Sequence, residues 1–137
     1  MNFPERFNMA DYFLYHNLEE GRENKVCLYF EDKTFTYTEA ARMSNRVGNA
    51  LRMLGVRMED RVLIVLPDCP EFVWTWFGAA RIGAVITMVN PLLPADDYRY
   101  YLEYTRARGD RPRVFSQAVC RGGPGCELSA SYPGGKE

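Results

Sequence analysis

Few residues in this chain have the type and spacing that chemistry needs. His16 is the only histidine, and Ser44 and four cysteines are the nucleophiles it could serve as a base. No neighbouring residue would orient the imidazole, so a boundary position on a packed helix is the simpler assignment. Asp96-Asp97 could act as an acid–base pair or hold Mg²⁺. Adjacent helical residues point about 100° apart, however, so the two carboxylates diverge and serve better as favourable charge in a helix's first turn. Cys27 lies in a strand-like run and Cys69 beside two prolines. Cys120 and Cys126 enclose five residues with no histidine nearby, which is not a zinc spacing. Free thiols are the expectation for all four, and no metal site is assigned.

Two glycine-rich stretches invite a phosphate-loop reading: Gly122-Gly123-Pro124-Gly125 and Pro133-Gly134-Gly135-Lys136. The second fails the pattern, because Ala130 stands where the first glycine belongs and Glu137 where a Ser or Thr belongs. Neither follows a recognisable strand. The turn Pro67 to Pro70 contains no glycine, so it carries no dinucleotide fingerprint. No catalytic residue is assigned from the residues themselves, and no cofactor-binding residue.

The elements that would position any site are clearer. Asn8 caps a helix over Met9 to Glu20 that stops at Gly21, with Met9, Tyr12, Phe13 and His16 as its packed face. Lys25–Glu31 and Thr34–Tyr37 form a β-hairpin. Thr38 caps a long helix to Leu54, whose apolar stripe is Ala40, Met43, Val47, Ala50, Leu51 and Leu54. Arg42, Arg46 and Arg52 fall on the solvated side. Arg61–Leu66 is a continuous apolar strand of the kind covered on both faces. Pro70 opens a helix to Ile82, and Gly83 ends it. Ala84–Val89 is a second buried strand, and Pro94 begins a last helix running to Arg106. Two strands joined by a helical crossover make a β-α-β unit. The fold class is therefore α/β, a partial parallel (mixed) sheet with flanking helices and a disordered C-terminal tail.

The near-neutral charge of −1 excludes nucleic acid and anionic membrane as expected partners. Phe72 to Leu93 approaches the ~20 residues of a membrane span. Arg81 in its middle, with Gly78, Gly83, Asn90 and Pro91, makes it a buried helix followed by a strand. The amino terminus has no secretory-signal pattern. A cytoplasmic location is expected.

From NMADYFLYHNLEEGRENKV, through TFTYTEAARMSNRVGNALRMLGV, to EDRVLIVLPDCPEFVWTWFGAARIGAVITMVNPLLPADDYRYYLEYTRAR, the chain resembles the opening of the adenylate-forming acyl-CoA synthetases. It is most like the benzoate and 4-hydroxybenzoate–CoA ligase branch. The resemblance covers residues 8–108 and rests on the order and spacing of individually weak elements. It implies activation of a small aromatic carboxylate by ATP as an acyl-adenylate, then capture by the thiol of coenzyme A, with Mg²⁺ neutralising phosphate charge. It also implies that the phosphate loop, the acid pocket and the catalytic lysine lie beyond this sequence. No family catalytic residue maps here, and none of ATP, coenzyme A or Mg²⁺ is expected to bind tightly.

Residues 109–137 lose both periodicity and resemblance at one point, where the family continues with a Val-rich strand. An irregular, out-of-frame tail is the expectation. A shift of one or two nucleotides from about codon 108 should restore that strand and then the phosphate loop. A non-catalytic α/β interaction module that keeps the scaffold is the alternative function. A sheet cut after two buried strands is also expected to be poorly soluble alone.

Overall fold

A computed structural model of the chain describes residues 5–105 and the strands at 114–116 and 130–131. Asn8 caps the first helix as expected: its Oδ1 accepts from Ala10 N at 2.9 Å. A π-helical turn, Asp11–Tyr15, runs into α1 (His16–Glu19), and Gly21 ends the segment at φ 74°. The π turn changes which face packs. Ala10 and Leu14 are buried and Leu18 packs against the core, whereas Met9, Tyr12 and Phe13 are exposed. The expected packed face is thus the outer one. A turn closed by i→i+5 bonding is wider than an α turn, and it lines up residues four apart.

The hairpin is β1 (Val26–Phe30) paired antiparallel with β2 (Lys33–Thr36). Glu31 takes φ 50° at its turn. α2 (Tyr37–Met53) then follows with no intervening loop. Its cap is Thr36, two residues before the expected Thr38. Thr36 Oγ1 accepts from Glu39 N while Glu39 Oε2 accepts from Thr36 N at 2.8 Å, a reciprocal capping box. Thr38 instead donates its hydroxyl to Glu23 O at 3.0 Å, tying α2 to the loop before β1.

β3 (Arg61–Val65), α3 (Pro70–Arg81) and β4 (Val85–Met88) form the β-α-β unit, with β3 and β4 parallel. Pro70 stands at the first helical position, where its missing N–H leaves no bond unmade. Phe72 to Leu93 therefore divides into helix and strand. Among the described residues no helix is long and apolar enough to cross a membrane. α4 (Ala95–Tyr104) follows the Asn90-Pro91 turn. Tyr98 fastens it by donating to Asn90 O at 2.9 Å and accepting from Leu93 N.

The larger sheet has the order β4-β3-β5-β6. β5 (Val114–Ser116) lies parallel to β3, and β6 (Ala130–Ser131) antiparallel to β5. Both fall within the tail expected to be irregular. The rest of that tail lies outside the described residues, and so do Cys120, Cys126 and both glycine-rich stretches.

The core joins α2, α3, the hairpin and one face of β3. Val62, Ile64 and Leu66 meet Val47, Leu51, Trp74 and Ala79 there. Phe35 of the hairpin packs its ring edge-to-face on Trp74, centroids 5.2 Å apart. α2 and α3 cross closely because both present glycine at the contact. A Cβ on Gly78 would lie 2.7 Å from Ser44 O, and one on Gly48 would lie 3.1 Å from Gly78 O. Ser44 and Gly48 thus join the buried face, while Ala50 and Leu54 of the expected stripe are exposed. β4 differs from expectation as well. Among the described residues it is an edge strand, with Val85 46% and Met88 55% exposed.

Candidate functional site

In a parallel sheet, ligands gather outside the carboxyl ends of the strands. Here those ends are the turn Leu66 to Cys69 after β3 and the turn Val89 to Pro94 after β4. Asp68 is exposed and Cys69 half-buried at the first; Asn90 turns the second, its Oδ1 accepting from Leu92 N at 2.9 Å. The α3 terminus facing this edge is a poor anion cradle. Proline occupies its first position without an N–H, Phe72 N already bonds Cys69 O, and Glu71 adds negative charge. The α3 terminus therefore does not fit ATP phosphates.

The expected candidates are dispersed. The His16 ring nitrogens lie 3.5 Å from the Glu19 and Glu20 carboxylates, and the ring stacks on Tyr12. Ser44 Oγ is buried at the α2–α3 crossing with no hydrogen-bond partner among the described residues. The two do not form a nucleophile–base pair. Burial raises the Cys27 thiol above its ordinary pKa, which suppresses the reactive thiolate. Asp96 and Asp97 lie exposed in the first turn of α4, where Asp96 reaches Arg99 at 3.9 Å. Among the described residues no group of three or more His, Cys, Asp or Glu could hold a metal.

The polar cluster that does form is one the sequence reading missed. Arg81, at the end of α3, lies 3.7 Å from the Tyr15 ring centroid and pairs with Asp11. Tyr15 donates its hydroxyl to Asn45 Oδ1 at 2.7 Å, and burial raises its pKa against the opposing pull of Arg81. Asn8 Nδ2 donates to Ala80 O at 3.0 Å, closing the α3 carboxyl end. The cluster borders a groove of about 680 Å³. Its charges neutralise each other and clamp the first helix onto α2 and α3. Neither Asp11 nor Arg81 shows local periodicity that would have paired them, since they are 70 residues apart in sequence.

The arrangement of these elements is shared with known proteins. The sequence model of the AMP-binding enzyme family matches residues 15–109. The chain belongs to that family. A benzoate–CoA ligase of Thauera aromatica is 39% identical over 109 residues, which are 79% of this chain and 21% of that protein. A 4-hydroxybenzoate–CoA/benzoate–CoA ligase of Rhodopseudomonas palustris is 38% identical over 102 residues, 74% of this chain and 19% of that protein. In three dimensions the chain superposes on an anthranilate CoA ligase solved with anthranoyl-AMP, with a TM-score of 0.72 and 37% identity. That match covers 77% of this chain and 20% of the other. The chain thus spans about a fifth of the length of the curated relatives it matches, and corresponds to a short N-terminal part of them.

Proposed function

We propose that this chain carries the N-terminal scaffold of an ATP-dependent aryl-CoA ligase acting on a small aromatic carboxylate such as benzoate. The carrying observation is the agreement of sequence and fold with benzoate and anthranilate CoA ligases over three quarters of the chain. The anthranoyl-AMP in the related structure supports an acyl-adenylate as the intermediate. When bound, Mg²⁺ supplies charge neutralisation at the phosphates and coenzyme A the acceptor thiol. This chain's residues contribute the sheet, the α2–α3 pair and the Arg81 clamp. The 137 residues alone do not catalyse the reaction, because the strand-end turns carry neither a phosphate cradle nor an activated nucleophile. A cytoplasmic location goes with this reading, as does an out-of-frame origin for residues 109–137. The family match stops at residue 109, which supports the latter.

The test is incubation of the purified chain with benzoate, ATP, coenzyme A and Mg²⁺, followed by chromatography for benzoyl-CoA and AMP. No thioester is expected. Formation of benzoyl-CoA at a rate above the protein-free control refutes the inactive-scaffold reading.

A further inference from the structure

We propose that the pocket between the π turn, α2 and α3 binds a small monocarboxylate, with Ser44, Asn45, Asn49 and Arg52 as its hydrogen-bond donors. The pocket has a volume of about 270 Å³, and the Asp11–Arg81 pair borders both it and the larger groove. The inference goes beyond the functional reading above and does not depend on it. α3 runs from Pro70, at the turn after β3, to Arg81, at the pocket. At 1.5 Å per residue that is about 18 Å. The site therefore lies at the opposite end of α3 from the turns where a parallel sheet gathers its ligands.

Ser44 carries the argument. It is 0% exposed, it lines the pocket, and its Oγ has no hydrogen-bond partner among the described residues. A buried hydroxyl left without a partner is costly, and the pocket is the space from which a partner reaches it. The groups around it are donors. Asn45 Oδ1 already accepts from Tyr15, which leaves its amide N–H groups for a ligand. Among the described residues the side chains of Asn49 and Arg52, both exposed, make no hydrogen bond or ion pair. The helix-end carbonyls that would repel an anion are already taken. Ala50 O, Leu51 O and Arg52 O accept from Leu54, Val56 and Gly55, and Ala79 O and Ala80 O accept from Ala84 and Asn8. Asp11 neutralises Arg81, so Arg52 leaves the pocket with one uncompensated positive charge. That charge matches a monoanion, and a guanidinium forks onto the two oxygens of a carboxylate. Size and the apolar Ile82 wall call for an organic body as well, because the volume falls just under the ~300–1,000 Å³ of ligand pockets.

The experiment titrates the isotope-labelled full chain, shown folded by circular dichroism, with sodium propionate at constant ionic strength, and in parallel with sodium phosphate. Expected are saturable NMR shifts at Ser44, Asn45, Asn49 and Arg52, with half-saturation by propionate on the order of 1 mM. Arg52→Gln and Ser44→Ala should each weaken propionate binding about fivefold or more. Ser44→Ala removes a hydroxyl that has no partner, so its melting temperature without propionate should not fall. Arg46→Gln, on α2 but outside the pocket, should leave binding unchanged. Shifts that never saturate overturn the proposal, as does undiminished binding by Arg52→Gln. Undiminished binding by Ser44→Ala overturns it too, since water alone then serves the hydroxyl. Phosphate binding as tightly as propionate, with the same dependence on Arg52, overturns the carboxylate as the ligand class.

Discussion

The β3–α3 and β4–α4 pairs are written in the same local grammar and end in opposite environments. Each is an apolar strand, RVLIV or VITM, followed by a helix with proline at its start and acid in its first turn. β3 lies inside the sheet with β4 on one side and β5 on the other, and α3 crosses α2 at van der Waals distance. Among the described residues β4 lies at the edge, and α4 has no buried residue. Apolar composition marks what an element is able to bury; the presence of a neighbour decides whether it does.

The largest expected contrast is between two aromatic truncations. Trp74→Ala, at 3% exposure, should cost about 3–5 kcal/mol in urea unfolding. Tyr104→Ala should cost under ~0.5 kcal/mol. Similar losses at both would mean that α4 is covered after all. Next comes Gly78→Ala, which pushes a methyl against Ser44 O and should cost about 1–3 kcal/mol. Ala79→Gly is the wrong control, because it opens a cavity; Ala95→Gly in α4 should cost no more than the helix-propensity difference of about 1 kcal/mol. Thr36→Ala should lower stability by about 1 kcal/mol, more than Thr38→Ala, and thermal melts distinguish the two caps.

A smaller effect follows from the same cap. The Glu39 carboxyl is held below its ordinary pKa, first by the Thr36 N–H it accepts and then by the Thr36 hydroxyl. A lowered folded pKa stabilises the fold above the unfolded value and is lost as pH falls through the folded one. Glu39→Gln should therefore flatten the acid limb of the stability profile below the ordinary glutamate pKa. An unchanged limb would show that the carboxylate charge contributes nothing there. The smallest stability change belongs to Val85→Lys/Met88→Lys, within about 0.5 kcal/mol for each site, together with a rise in soluble yield.

Much of the architecture was legible in the residues. The hairpin, the Pro70 and Pro94 helix starts and the parallel β-α-β unit follow from periodicity and punctuation that act over a few residues. The errors have specific causes. Met9, Tyr12, Phe13 and His16 look like a packed face at the α-helical period, and the π turn presents Ala10, Leu14 and Leu18 instead. Thr38 precedes the apolar stripe at the usual cap distance, but Thr36 has glutamate three residues on, and that pair makes the box. Ser44 and Gly48, four apart on α2, were a readable sign of a close helix crossing once Gly78 was set against them. The Asp11–Arg81 clamp was not legible, because no local pattern links residues 70 positions apart.

By itself, then, the sequence determined the order of elements, their approximate ends, and membership of the AMP-binding enzyme family. Hydrogen bonding along a helix or strand and the preferences of Pro, Gly and Thr are local, so they are written locally. Only the tertiary structure decided which face of the first helix is buried, where two helices meet backbone to backbone, and that β3 is buried from Val62 to Val65 while Val85 and Met88 of β4 stay about half exposed among the described residues. Those outcomes depend on which surfaces, distant in sequence, come together to exclude water, and a strand such as VITM reads the same whether or not a neighbour arrives to cover it.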